Sequence, residues 1–181
     1  MNPMLKTNAL PGVPRWAVLA AHAVPLVTLP SGLWRIALVA GLPVAPRDGD
    51  VSFGEDLYVL SLTVVSEALA LLTLGLVRSW GDVVPRWIPL LGGRRVRPLA
   101  AVVPALLGVT ALTGLAVWFF CAPYVNPDQA IWQGTPAQDA LLAACYLPLL
   151  AWPPLLAAVT VAYYRRRTAR NGAKGRTLAR V

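Results

Sequence analysis

Glu67 is the residue of this 181-residue chain on which chemistry is most easily hung. It stands at the middle of an otherwise uncharged run, 57–77. If that run crosses a bilayer, the carboxyl lies near the midplane, where an ionised acid costs at least ~2.5–3.5 kcal/mol on insertion scales. Such a group must face protein, water or a ligand, and it suits proton relay or recognition of a cationic or amphipathic molecule. His22, the single histidine, is its expected partner. Counted from Arg15, His22 lies ~10 Å into the apolar layer, and Glu67, counted from Arg78, ~16 Å. Two side chains span the ~6 Å difference if the two runs pack as a helical hairpin. Equally, the acid and the histidine can each be satisfied locally and serve packing alone.

Other groups fall at comparable depth. Ser66, Thr110, Thr113 and Trp152 are expected around the same cavity. Pro25 and Pro30 in the first run, Pro104 in the third and Pro153-Pro154 in the fourth each remove a backbone donor, and broken helices in membranes often mark a site. Small residues at four-residue spacing, such as Ser66/Ala70 and Thr110/Gly114, more often serve close helix packing. For an anionic head group the candidates are Arg35, Arg94, Arg95, Arg97, Arg165, Arg166 and Arg167, since guanidinium forks match phosphate. Two cysteines without a CxxC, and one histidine, offer no zinc site, and no metal or other cofactor is implied. Cys121 and Cys145 fall at different depths, which disfavours a disulfide between them. Gly92-Gly93-Arg94-Arg95 lacks the spacing of a phosphate-binding loop.

The elements that must carry these residues follow from composition. Hydrophobic residues make up 57% of the chain and charged residues 13%, against about 25% in a soluble domain. So much apolar surface needs lipid as its solvent. Four runs of suitable length, about 16–34, 57–77, 99–121 and 140–164, predict an all-α bundle of four transmembrane helices over residues 1–164. The net charge of +8 follows the loops rather than a nucleic-acid surface. On one side fall 14 of the 16 basic residues, while Arg35, Arg47 and most of the acids fall on the other. The positive-inside rule then puts both termini in the cytoplasm. The first run is too long, and too rich in proline, for a cleaved signal peptide.

Three segments need separate readings. Pro30-Ser31-Gly32 is expected to end the first helix and start a short interfacial one near residues 33–41; the alternative is one long tilted helix with Arg35 near its outer end. The inner loop, with Trp80, Trp87 and Ile88-Pro89-Leu90-Leu91, is expected to lie on the membrane surface. Residues 165–181 carry seven basic and no acidic residues, which predicts a disordered tail that serves first as a stop-transfer anchor; the alternative role is anionic-lipid binding at ~1 kcal/mol per basic residue near the surface.

Thr28-Leu-Pro-Ser-Gly-Leu-Trp-Arg35 and Val84-Pro-Arg-Trp-Ile-Pro-Leu-Leu-Gly-Gly-Arg-Arg-Val96 resemble stretches of small polytopic membrane proteins of actinobacterial type. The resemblance implies a bacterial plasma membrane and brings no established activity or residue roles with it.

Three functions fit these residues. The favoured one is non-enzymatic handling of a ligand, ion or proton around Glu67. An intramembrane enzyme on a lipid or isoprenoid would use Glu67 and His22 as acid and base and an arginine for the head group. A structural subunit of a membrane complex would need no chemistry. Expected partners are anionic lipid on the cytoplasmic side and a second copy or larger membrane complex, with no nucleic acid.

Overall fold

The computed structural model describes residues 13–46, 52–78, 97–125 and 134–178, with side chains given as far as Ala169. Among them there are only helices: α1 (Arg15–Val39), α2 (Phe53–Leu72), α3 (Pro98–Val125), α4 (Pro136–Tyr146) and α5 (Trp152–Leu178). A 3-10 turn, Thr73–Leu76, prolongs α2, and another, Leu147–Ala151, joins α4 to α5. Four helical stretches are long and apolar enough to cross a membrane: Arg15–Val39, Phe53–Leu76, Pro98–Val125 and Pro136–Ala169.

Two of the starts are written in the sequence as capping boxes. Ser52 Oγ accepts from Gly54 N while Glu55 Oε2 accepts from Ser52 N at 3.1 Å. Thr135 and Gln138 exchange the same pair of bonds at the head of α4. Each box satisfies orphan amides that lipid would leave bare.

The first helix is one rod. It runs unbroken through Pro25 and Pro30 to Val39, so the separate interfacial helix expected after Pro30 does not form and the long-helix alternative holds. Each proline frees one carbonyl, whereas ending the helix inside lipid would strand several backbone groups at once. Ser31, expected to cap a new helix, instead donates to Thr28 O at 2.8 Å, as hydroxyls inside helices do.

The fourth span is also corrected. Its break falls at Leu147–Ala151, around Pro148, while Pro153 and Pro154 occupy the first turn of α5, where missing amides cost nothing. Beyond the span, α5 continues as helix to Leu178 rather than dissolving into a disordered tail after Arg165. A helix already nucleated inside the bundle extends at little cost through Arg and Ala, both good helix formers.

The spans alternate in direction. Arg166 Nη2, on α5, donates to Leu76 O at the end of the second span at 3.4 Å. At the opposite end Gln138 Nε2, on α4, donates to Pro43 O just after α1 at 3.1 Å. α1 is the hub, packed on α2, α4 and α5. Its buried residues Ala17, Ala21, Val24, Thr28, Ser31 and Arg35 recur at steps of four and three, a single stripe of mostly small side chains that lets neighbouring helices approach. On α5, Trp152, Leu156, Val159 and Tyr163 repeat the same steps and meet it. α3 packs mainly on α5, with only Val102 and Ala122 buried among its described residues, and makes no extensive contact with α2. The bundle is therefore open along one side, between α2 and α3.

Candidate functional site

The polar stripe of α1 faces α2. Thr28 Oγ1 donates to Glu67 Oε2 at 3.0 Å, and also lies 3.0 Å from Pro25 O. Gly32, one turn further along α1, brings its backbone against the same carboxyl; a Cβ there would stand 3.3 Å from Glu67 Oε1 and 3.4 Å from Thr63 Cγ2. Glu67 Oε1 is buried without a hydrogen-bond partner among the described residues. One turn beyond Gly32, Arg35 Nη1 donates to Ser66 Oγ at 3.4 Å, and Ser66 in turn donates to Thr63 O at 2.9 Å. The glycine lets α1 approach α2 closely at the level where the acid and the arginine share one interhelical seam.

The expected His22–Glu67 contact is absent. His22 Nδ1 donates to its own helix at Val18 O, 2.8 Å away, and the carboxyl takes Thr28 instead, six residues along. Two turns of separation along α1 are more than the assumed equal packing of the hairpin allowed for. Thr110 and Thr113 are corrected as well. Both are exposed on α3 and return their hydroxyls to carbonyls of their own helix, Leu106 and Leu107 for one and Val109 for the other. Trp152 lines two apolar cavities, whereas Ser66 lies in the α1–α2 seam against Arg35. Cys121 and Cys145 are free thiols.

Arg35 is 8% exposed and is the one charged side chain in the wall of an apolar cavity of about 280 Å³. The cavity is bounded by Leu62 of α2, Leu112, Leu115 and Phe119 of α3, and Tyr146 and Trp152 around the α4–α5 break. A guanidinium carries five N–H groups. Ser66 takes one, and no other nitrogen of Arg35 is both buried and unpartnered, so the guanidinium keeps accessible donors. The cation also lies over the Tyr146 ring, 5.6 Å from its centroid. Trp34 meets that ring edge-on at 5.4 Å and Phe119 stacks on it at 6.3 Å. Tyr146 thus holds the arginine by a contact of roughly 0.5–2 kcal/mol. It is the residue that sequence reasoning missed. Its signal was a lone aromatic just before the proline-marked break, at the same end of the bundle as Arg35.

A second cavity, about 480 Å³, continues along the gap between α2 and α3. It is lined by Leu69, Leu72 and Thr73 on one side, Ala101, Pro104 and Gly108 on the other, and shares Leu112 and Trp152 with the first. Glu67 lines neither.

The other described arginine candidates, Arg97, Arg165, Arg166 and Arg167, sit at the opposite end. Arg97 and Arg165 are exposed; Arg166 and Arg167 lie over the Tyr163 ring at 5.5 and 5.8 Å. Arg94 and Arg95, with the inner loop expected on the membrane surface, fall outside the described residues. Among the described residues no group of histidine, cysteine and acids is arranged to hold a metal.

Buried cation, apolar walls and a side opening together suit an amphiphile with an anionic head. Comparison of the chain with protein-family models, with curated proteins and with solved structures finds no match.

Proposed function

We propose that this protein is a non-enzymatic binder of an anionic amphiphile, taken up sideways from the bilayer into the opening between α2 and α3. The observation that carries this reading is Arg35: a nearly buried guanidinium with spare donors in the wall of an otherwise apolar cavity. A carboxylate or phosphate satisfies those donors as a fork-to-fork pair, stronger than a neutral hydrogen bond. The exposed side chains of Leu62 and Leu115 leave the route to lipid open. With the basic helix ends in the cytoplasm, as the loop charges favour, Arg35 serves the outer half of a bacterial plasma membrane.

The test is a hexadecyl phosphate carrying a diazirine near its head, photolysed in phosphatidylcholine nanodiscs and mapped by peptide mass spectrometry. Adducts on Leu62, Leu112 and Leu115 are expected. Adducts spread evenly over the outer faces of α1 and α5, or a dimer that covers the opening and excludes the reagent, would overturn the reading.

A second reading, proton handling at Glu67, is favoured by the buried Oε1 that no donor among the described residues reaches. Glu67→Gln in liposomes tests it: proton-dependent flux lost in the variant supports it, and flux unchanged rejects it.

A further inference from the structure

We infer that the two cavities form one tail channel, and that the ligand is selected by chain length as well as by charge: a single long hydrocarbon of palmitoyl class under its anionic head. This rests on the reading of Arg35 as the head-group site.

The walls are continuous. Leu112 and Trp152 border both spaces, and Trp152, 4% exposed, is the common floor on the α5 side. From α2 the channel receives Leu62 at its head and Leu69, Leu72 and Thr73 further in, and α3 lines the other side without extensive packing against α2. Along α3 the small residues Ala101, Ala105, Gly108 and Ala111 keep the inner part wide.

Length follows from helix geometry. Ala116, one turn inward of the Phe119 that stacks on Tyr146, marks the level just below the head. From there to Ala101 the helix rises about 22 Å. With carbon–carbon bonds of ~1.5 Å in zigzag, each methylene advances ~1.25 Å, so a chain of roughly sixteen to eighteen carbons occupies that distance. Gly108 stands only about 12 Å below the same level. An eight-carbon chain, about 10 Å long, therefore ends before reaching it.

Gly108 is also the point at which the channel can be plugged. A Cβ there meets only Leu156 Cδ2, at 3.6 Å, an ordinary contact, so the backbone accepts a side chain. In Gly108→Phe the ring then takes up tail space in the inner cavity while Arg35 and the outer cavity stay untouched.

The experiment is binding of hexadecyl phosphate and octyl phosphate to the wild-type protein and to Gly108→Phe in phosphatidylcholine nanodiscs. Amounts are counted as mole fractions in the bilayer, so that partitioning of the longer chain cancels. The wild type is expected to prefer the hexadecyl compound by roughly tenfold, and Gly108→Phe to lose that preference while binding octyl phosphate as before. Retained octyl binding shows that the variant is folded; should it be lost too, Gly108→Leu replaces it with the same expectation. Equal affinity of the two chains for the wild type, or a preference that survives both plugs, overturns the inference but leaves the head-group reading intact. Binding of neither compound overturns the head-group reading itself.

Discussion

Thr28 on α1 gives its hydroxyl to Glu67 on α2 across a 3.0 Å bond, one turn below Gly32 and two below Arg35. That bond fixes the register of the two helices, and the register carries Arg35 to Ser66 and to the cavity.

Removing the donor is therefore expected to loosen the hairpin. Thr28→Val keeps the volume and leaves both carboxyl oxygens without a donor, at a cost of about 1–2 kcal/mol. Unfolding by denaturing detergent measures it, and a double-mutant cycle with Glu67→Gln isolates the pair. A coupling of about 0.6–1.7 kcal/mol, the range for interhelical bonds in lipid, is the expected result. Zero coupling means the bond holds nothing.

Gly32 is expected to tolerate no side chain without loss. An added methyl stands 3.3 Å from the carboxyl, a close but movable contact, so Gly32→Ala costs about 1 kcal/mol and Gly32→Leu about 3 kcal/mol or more, by overpacking. The same unfolding assay reads both. Equal stability of Gly32→Leu and the wild type would contradict the close approach.

Tyr146 is expected to act through its ring rather than its hydroxyl. Tyr146→Phe keeps the face under Arg35 and leaves binding of hexadecyl phosphate within about twofold. Tyr146→Leu removes it, and weakens binding roughly three- to tenfold as the guanidinium loses its support. Similar losses in both variants would point to the hydroxyl instead.

Orientation has its own test. In a background with Cys121 and Cys145 replaced, Ala137→Cys at the head of α4 is expected to react with an impermeant maleimide added outside intact cells. Arg97→Cys at the foot of α3 is expected to react only after lysis. The reverse pattern would invert the topology.

Much of this was legible in the residues. Apolar runs near 20 residues located the spans, because length and hydropathy are what lipid selects. The Ser52–Glu55 and Thr135–Gln138 capping boxes start α2 and α4 four residues before the apolar runs at 57 and 140, because a cap is polar and hydropathy passes over it. Prolines misled twice, since Pro30 punctuates a helix in water but not one whose backbone has nowhere else to bond. The pairing of Glu67 with His22 failed because depth alone was matched. The α1 stripe from Ala17 to Arg35 puts Thr28 and Arg35 on one face seven residues apart, and that spacing, read first, leads to the Thr28 bond. Which helices stand apart, and hence the opening between α2 and α3, no single run encodes.

The most direct measurement is head-group selectivity at Arg35. Hexadecyl phosphate and hexadecanol share a tail and differ only in charge, so the ratio of their dissociation constants in phosphatidylcholine nanodiscs isolates the head. A wild-type preference for the phosphate of at least roughly tenfold, falling to about unity in Arg35→Gln with hexadecanol binding unchanged, is the expected result. A phosphate preference that persists in Arg35→Gln would contradict a head-group site built on this arginine.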